Sequence, residues 1–531
     1  MPFKLTIPVP DSNANLTVET RPKQVKEWLD RLPTSNTFEA ARSLRDALST
    51  VNRQNIPDET RLKLLELYRE AIYALLPGLE ERFSSATLPL PEKQRQTANV
   101  ARELLMEVAY GYKIILLEHL NKRLNFGTNR QLPQLIQRAL AALSSILMIC
   151  YETYAPTPAG IWSEMHQLYR YAVQLNVQDE ALADVNSTSS INLTYKQSLL
   201  LALADPYRLM HGEAAKVMDY LARFGDQAHL MPLAQTTGSA GFFLVRLDTD
   251  KPPKAIAQNT AVMDARNDIL LNTIDLARIM HQAIVKLESG EIPASIGLPA
   301  AAKDPAYVDL MRRLIRHWGI APKRHFSRLA NQAKMDICAG MRPIHYFLSG
   351  KQNVLDDSTA LQNADITVQL ASSPIDKARL QTFTSTQWTI LNESAGGLAL
   401  SKVTEEPVQI RVGELVGLKP EKSTVWNVGV VRWVQSDNPT HLELGVQMLA
   451  PEVAPVAIKA TISSLSEVFQ PALLLPEIPL LKQPPTLLVV RGEFHDQREF
   501  QLQQDGSIST IRATKLLEQT ISFEQFQFKS S

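Results

Sequence analysis

The stretch QWTILNESAGGLALSKV, residues 387–403, sets two short apolar runs on either side of the polar, glycine-bearing hexad Asn392, Glu393, Ser394, Ala395, Gly396 and Gly397. Apolar runs flanking a tight glycine-containing connection form the pattern of two antiparallel strands. Working outward, AKMDICAG precedes this pair, and VQIRVGELVGLK, WNVGVVRWV and HLELGVQML follow it. All are short, rich in β-branched residues and separated by Gly, Asn, Asp or Pro, which predicts an antiparallel β-barrel.

The rest of the 531-residue chain is too long to share one core and reads as further domains. Residues 1–230 carry helical periodicity, with Leu65, Tyr68, Ile72 and Leu75 forming one stripe and Leu105, Val108, Tyr112 and Ile115 another. Thr157 and Pro158 suit the start of a helix that places Trp162, Met165, Tyr169 and Ala172 on one face. No period repeats cleanly, so this part is an all-α helical bundle or irregular solenoid, expected to fold alone. Residues 236–320 form a small α+β unit, with a strand at GFFLVRL and helices over 273–287 and 305–318. The barrel occupies 322–470, with 340–384 as a polar insertion after its first strand. Residues 471–531 are a proline-rich connector followed by a small β extension. The fold class is therefore multidomain α+β.

Lys plus Arg equal Asp plus Glu at 55 each, which removes the positive field that a nucleic acid polymer needs, while leaving room for a small anion held by local charges. Cys150 and Cys338 stand far apart, with no metal-ligand spacing. The N-terminus lacks a signal-like apolar segment, and no continuous apolar run reaches the roughly 18 residues of a membrane span. A cytoplasmic location and no membrane span are the expectation. Nor does any nucleophile elbow, P-loop or HExxH pattern stand in a supporting context, so no catalytic residue, metal or cofactor is assigned.

The hexad fits [DN]xSxxG, and with the strands that follow, the stretch from about Thr386 to Leu449 closely resembles PilZ domains. That resemblance implies a β-barrel receptor for cyclic di-GMP. It implies that Asn392 and Ser394 bond a guanine edge and phosphate oxygens, and that Gly397 lets the backbone come close. PilZ receptors also carry RxxxR ahead of the first barrel strand, which Arg324 and Arg328 match, their planar forks suiting phosphates and guanines. Arg312 and Arg316 form a second copy, but MRRLIRHW is helical and these arginines read as a solvated face. The separation of Arg328 from Asn392 is longer than in the family, and the insertion accounts for it. Trp433, in the strand VVRWVQ, reads as barrel filling or as a base under the purine.

The ligand set is thus Arg324, Arg328, Asn392, Ser394 and Gly397. The expected function is a cyclic di-GMP receptor whose helical half meets an unidentified protein partner. The alternative is a scaffold whose barrel no longer binds nucleotide, and what separates the two is whether the arginines face Asn392.

Overall fold

The computed structural model describes residues 3–11, 18–33, 35–84, 88–121, 131–183, 188–233, 240–256, 263–319, 328–350, 383–403, 408, 410–438, 440–450, 452–461, 468–477 and 484–530. Two compact units emerge, one of residues 1–86 and 90–323, the other of 87–89 and 324–531.

The first unit is mainly helical: α1 (Pro22–Leu29), α2 (Thr37–Arg53), α3 (Asp58–Ser84), α4 (Glu92–Asn121), α5 (Leu132–Glu152), α6 (Ile161–Leu175), α7 (Ile191–Leu203) and α8 (Glu213–Phe224), with a two-strand ribbon of β1 (Leu182–Ala183) and β2 (Thr188–Ser189). The stripes identified by periodicity are all buried. Gly111 lets α4 approach α3 closely, since a Cβ there would lie 2.2 Å from the Leu65 Cδ2. Helix α6 begins three residues later than Thr157–Pro158 suggests. Gly160 precedes it at φ 89°, and the Asp250 carboxylate accepts from the Gly160 N–H at 2.6 Å and the Ser163 N–H at 3.0 Å. A carboxylate far along the chain thus satisfies the orphan donors of the first turn. Helix α5 is long and apolar enough to cross a membrane, yet most of it is buried within this unit.

At the centre lies a charge pair. The Lys113 ammonium, fully buried, donates to Glu164 at 2.6 Å, and the other Glu164 oxygen accepts the Thr6 N–H at 2.8 Å. Burial lowers the affinity of Lys113 for its proton, opposed by the Glu164 charge beside it. The N-terminal segment lies alongside α6 with Leu5 buried and Phe3 against Tyr171.

After α8 come β3 (His229–Pro232), β4 (Phe242–Arg246), β5 (Lys254–Ala255) and β6 (Asp268–Asn272), an antiparallel sheet ordered β3-β6-β4-β5, then α9 (Ile274–Glu288) and α10 (Pro305–Gly319). Phe243, Leu271, Met280, Leu314 and Trp318 join the same continuous core as Tyr195, Leu200 and Tyr220. The Trp318 indole N–H donates to the Leu200 carbonyl at 3.0 Å. The sheet and its helices therefore complete the helical core, which differs from a self-sufficient 1–230 domain. A fragment of residues 1–230 is expected to lose cooperative urea unfolding because it exposes that shared surface, whereas a 1–323 fragment keeps it; circular dichroism through the denaturant series distinguishes the two.

The second unit contains β7 (Leu329–Ala330), β8 (Lys334–Ala339), α11 (Met341–Leu348), β9 (Thr386–Ser394), β10 (Gly397–Val403), β11 (Leu415–Pro420), β12 (Asn427–Asn438) and β13 (His441–Ala450). Each of β8, β9, β10, β13, β12 and β11 pairs with two of the others, closing a six-stranded ring, with β7 added along β9. Ile390, Leu400, Leu444 and Val434 fill its interior, and Ser401, Glu443 and Gln435 in the next row face outward. That is the alternation of a small filled barrel.

A second closed barrel follows: β14 (Ala454–Ala460), β15 (Gln470–Leu475), β16 (Thr486–Val490), β17 (Glu499–Gln504), β18 (Ser507–Gln519) and β19 (Phe523–Ser530), ordered β14-β15-β16-β19-β18-β17. The connector expected from Pro471 onward therefore starts as a barrel strand, and this barrel begins before residue 471. The two barrels share a core in which Cys338, Met341, Ile344, Leu415 and Val430 meet Leu473, Leu488 and Phe523. Helix α11 opens the expected 340–384 insertion and is part of that core, which differs from an insertion that packs little apolar surface. The stretch 351–382 lies outside the described residues.

Two groups of this unit, the buried His345 and the half-buried Glu414, titrate in opposite senses. Burial depresses the His345 imidazole to about 4 despite its bond to the Val456 carbonyl, and burial raises the Glu414 carboxyl to about 7 against the pull of Arg411. The unfolded chain binds more protons at His345 between about 4 and its ordinary 6.5, so that contribution falls as pH drops through this window. At Glu414 the folded state binds more protons between the ordinary 4.5 and about 7, so its contribution falls as pH rises. These offset over most of the same range. Glu414→Gln is expected to raise the unfolding midpoint at pH 8 and leave it unchanged at pH 4, read by scanning calorimetry.

Candidate functional site

The hexad closes the β9–β10 hairpin. Ser394 pairs with Gly397 across Ala395 and Gly396, and its hydroxyl donates to the Gly397 carbonyl at 3.2 Å. Strand β7 lies on the other side of β9, with Leu329 opposite Glu393 and Ala330 opposite Asn392. Continuing that antiparallel register by one residue sets Arg328, which is exposed, opposite Ser394. The insertion thus leaves Arg328 and the hexad side by side, although they are far apart in the chain. Arg324 lies outside the described residues.

A row of paired residues runs across the outer face of the barrel from this point: Ala330, Asn392, Ala399, Gly445 and Trp433. Ser394, Gly397 and Gln447 form the row beside it. Asn392 is half-buried and, among the described residues, its side-chain amide bonds to no neighbour. The result is a shelf whose small central residues, Ala399 and Gly445, are buried and whose polar groups stand half-buried at its β9 border.

Gly397 has a structural cause that needs no ligand. A Cβ there would sit 2.2 Å from the Val446 carbonyl oxygen on the neighbouring strand, a backbone atom that cannot turn aside. Substitution at Gly397 therefore disturbs the β10–β13 ladder first and is a poor probe of the ligand.

Strand β12 shifts register between Val431 and Trp433. Val431 and Val434 point into the barrel core, while Arg432 and Trp433 are only half-buried. The bulge thus takes Trp433 out of the interior, where a filling role had been an expectation. Its indole lies against Gly445, where a Cβ would be 1.8 Å from Nε1. Arg432 reaches the other way. Its Nε donates to the Gln447 amide oxygen at 2.8 Å, and its two terminal nitrogens donate to both Glu518 oxygens, one at 2.9 Å. Gln447 is the partner of Gly397, so a forked ion pair links the edge of the shelf to β18 of the second barrel. Nothing in the sequence marked Arg432, Gln447 or Glu518, because the bulge that re-aims Arg432 and the second barrel that supplies Glu518 are both tertiary.

The rejected arginines behave as the helical reading implies. Arg312 and Arg316 are exposed on α10, with Arg312 paired to Glu288, while Arg313 is held by Asp309 at 3.0 Å and by the buried Glu213. Both cysteines are buried and free, and burial pushes the Cys338 thiol up to about 12.

Three family models match the chain in succession: the N-terminal domain of the cyclic-di-GMP receptor FimW over residues 23–235, its middle PilZ domain over 242–372 and 355–455, and its C-terminal β-barrel domain over 456–531. The middle model starts at β4 and so takes in three strands of the four-stranded sheet that shares the helical core, β3 falling to the N-terminal model; the last starts within β14, where the second barrel begins. A curated relative, the cyclic-di-GMP receptor FimW of Pseudomonas aeruginosa strain PAO1, is 27% identical over 580 residues, which cover 100% of this chain and 94% of the relative. With the hexad on a closed barrel hairpin and the arginine strand registered against it, the chain belongs to the PilZ-domain family of cyclic di-GMP receptors.

Proposed function

We propose that this chain is a receptor that binds cyclic di-GMP on the outer face of its first barrel and carries out no reaction on it. Arg328, with Arg324 in the adjoining segment, clamps phosphate and guanine acceptors through forked hydrogen bonds; Asn392 and Ser394 supply polar contacts, and Gly397 keeps the hairpin flat against its neighbour. The observation that carries this reading is the β7–β9 register, which puts Arg328 beside Ser394 and Asn392 on a chain with no net charge to attract a dianion from afar. The helical unit is the output surface for a protein partner, through a difference in ligand affinity between two arrangements of the protein.

The second reading, a scaffold whose barrel has lost its ligand, is favoured by one fact: strand packing alone demands Gly397. Titration calorimetry of the full chain with cyclic di-GMP decides. Saturable binding at micromolar or tighter affinity supports the receptor, and the absence of heat at high micromolar concentration supports the scaffold.

A further inference from the structure

Residues 3–11 lie on the helical unit without forming a helix or strand of their own. Exposure alternates along Phe3–Ile7: Leu5 is buried, Phe3 and Ile7 are half-buried, and Lys4 and Thr6 face solvent. That is the pattern of an extended chain laid on a surface. Its contacts fall on one stripe of α6. The Thr6 N–H donates to the Glu164 carboxylate at 2.8 Å, the Lys4 N–H donates to the Gln167 side-chain oxygen at 2.7 Å, and the Phe3 ring lies 5.1 Å from the Tyr171 ring, so the segment runs antiparallel to the helix. Residues three apart on a helix stand about 5–6 Å apart and alternate N–H groups of an extended chain about 6.6 Å, which lets both bonds form together. Each acceptor is also fixed from behind. The buried Lys113 holds the second Glu164 oxygen, and the Gln167 amide donates to the Ser163 carbonyl at 3.2 Å.

We propose that this face of α6 is a docking groove for an extended peptide with apolar residues at alternate positions, and that residues 3–7 occupy it as an internal competitor of such a segment in a protein partner. This gives the output surface of the receptor reading a place, and rests on that reading for the partner's part in signalling. The two acceptors meet main-chain N–H groups, which every extended segment carries, and the side chains of Lys4 and Thr6 point away. The groove therefore selects extended backbone with an apolar anchor rather than one sequence. Among residues 3–11 only Leu5 is buried, so this segment is released at far less cost than any helix beneath it.

The test is fluorescence anisotropy of a fluorescein-labelled peptide of residues 3–10, titrated with the full chain and with its Leu5→Asp variant, whose own segment cannot seat a carboxylate in the apolar site. Leu5→Asp is expected to bind the peptide at least about tenfold more tightly than the parent, because a tethered competitor acts at an effective concentration on the order of millimolar. The same peptide carrying Leu5→Asp is expected not to bind. Equal binding by parent and variant, or none by the folded variant, overturns the proposal. If Leu5→Asp unfolds the chain, hydrogen exchange of the parent decides: a millimolar excess of unlabelled peptide raises exchange across residues 3–11 by displacing them, and unchanged exchange overturns the groove. Cyclic di-GMP enters neither readout, so failure of the groove and failure of the receptor reading are separate results.

Discussion

Arg328→Ala should weaken cyclic di-GMP binding by about a hundredfold, the equivalent of roughly 3 kcal/mol, without moving the unfolding midpoint. The side chain is exposed, so folding owes it little, whereas a forked, charge-assisted contact to a phosphate or guanine is among the stronger interactions available to a protein. Arg328→Lys should recover only part of the loss, because an ammonium is a point charge without the planar fork. Arg312→Ala should change nothing, since that guanidinium is paired to Glu288 on α9. Calorimetric titration reads all three. Undiminished binding by Arg328→Ala would remove the clamp from the site.

Lys113→Met should cost the helical unit about 3–5 kcal/mol, because it leaves the Glu164 carboxylate buried without its counter-charge. The remaining bond from the Thr6 N–H satisfies one oxygen and cannot neutralise the group. Lys113→Met combined with Glu164→Gln should restore much of the stability, since the cost comes from the unpaired charge rather than from loss of an attractive pair. Urea unfolding followed by far-ultraviolet dichroism measures both. Additive losses in the double variant would contradict this account.

The strands of the first barrel were legible because their interior is apolar and their exterior polar, so period-two alternation survives in GLALSKV and HLELGVQML. The hexad was legible for the same reason, as a polar interruption between two such runs. The second barrel was not. Its strand β15 reads QPALLL, with Pro471 near its start and no alternation because both faces are covered, and PEIPLLKQPP following it looks like a connector. Helix α11 was absorbed into an expected insertion, although Met341 and Ile344 already lie three apart as one buried face. Of the proposed site, Arg328 and Asn392 could be singled out from residue type and order, but their adjacency required the β7–β9 register. The cap supplied by Asp250 and the Arg432–Glu518 link join segments distant in the chain, and periodicity carries no information about such contacts.

Closure of both barrels has a further consequence for assembly. A ring of strands leaves no open ladder of N–H and C=O groups, so another chain has no sheet edge to extend, and the most common route to β-mediated aggregation is shut for those strands. Among the described residues of this unit the exception is β7, which ends the strand order and is just two residues long, with Leu329 turned to solvent. That remaining edge directly follows Arg328. In the proposed receptor, a ligand that holds Arg328 also steadies the short strand that follows it, the open edge among the described residues of this unit.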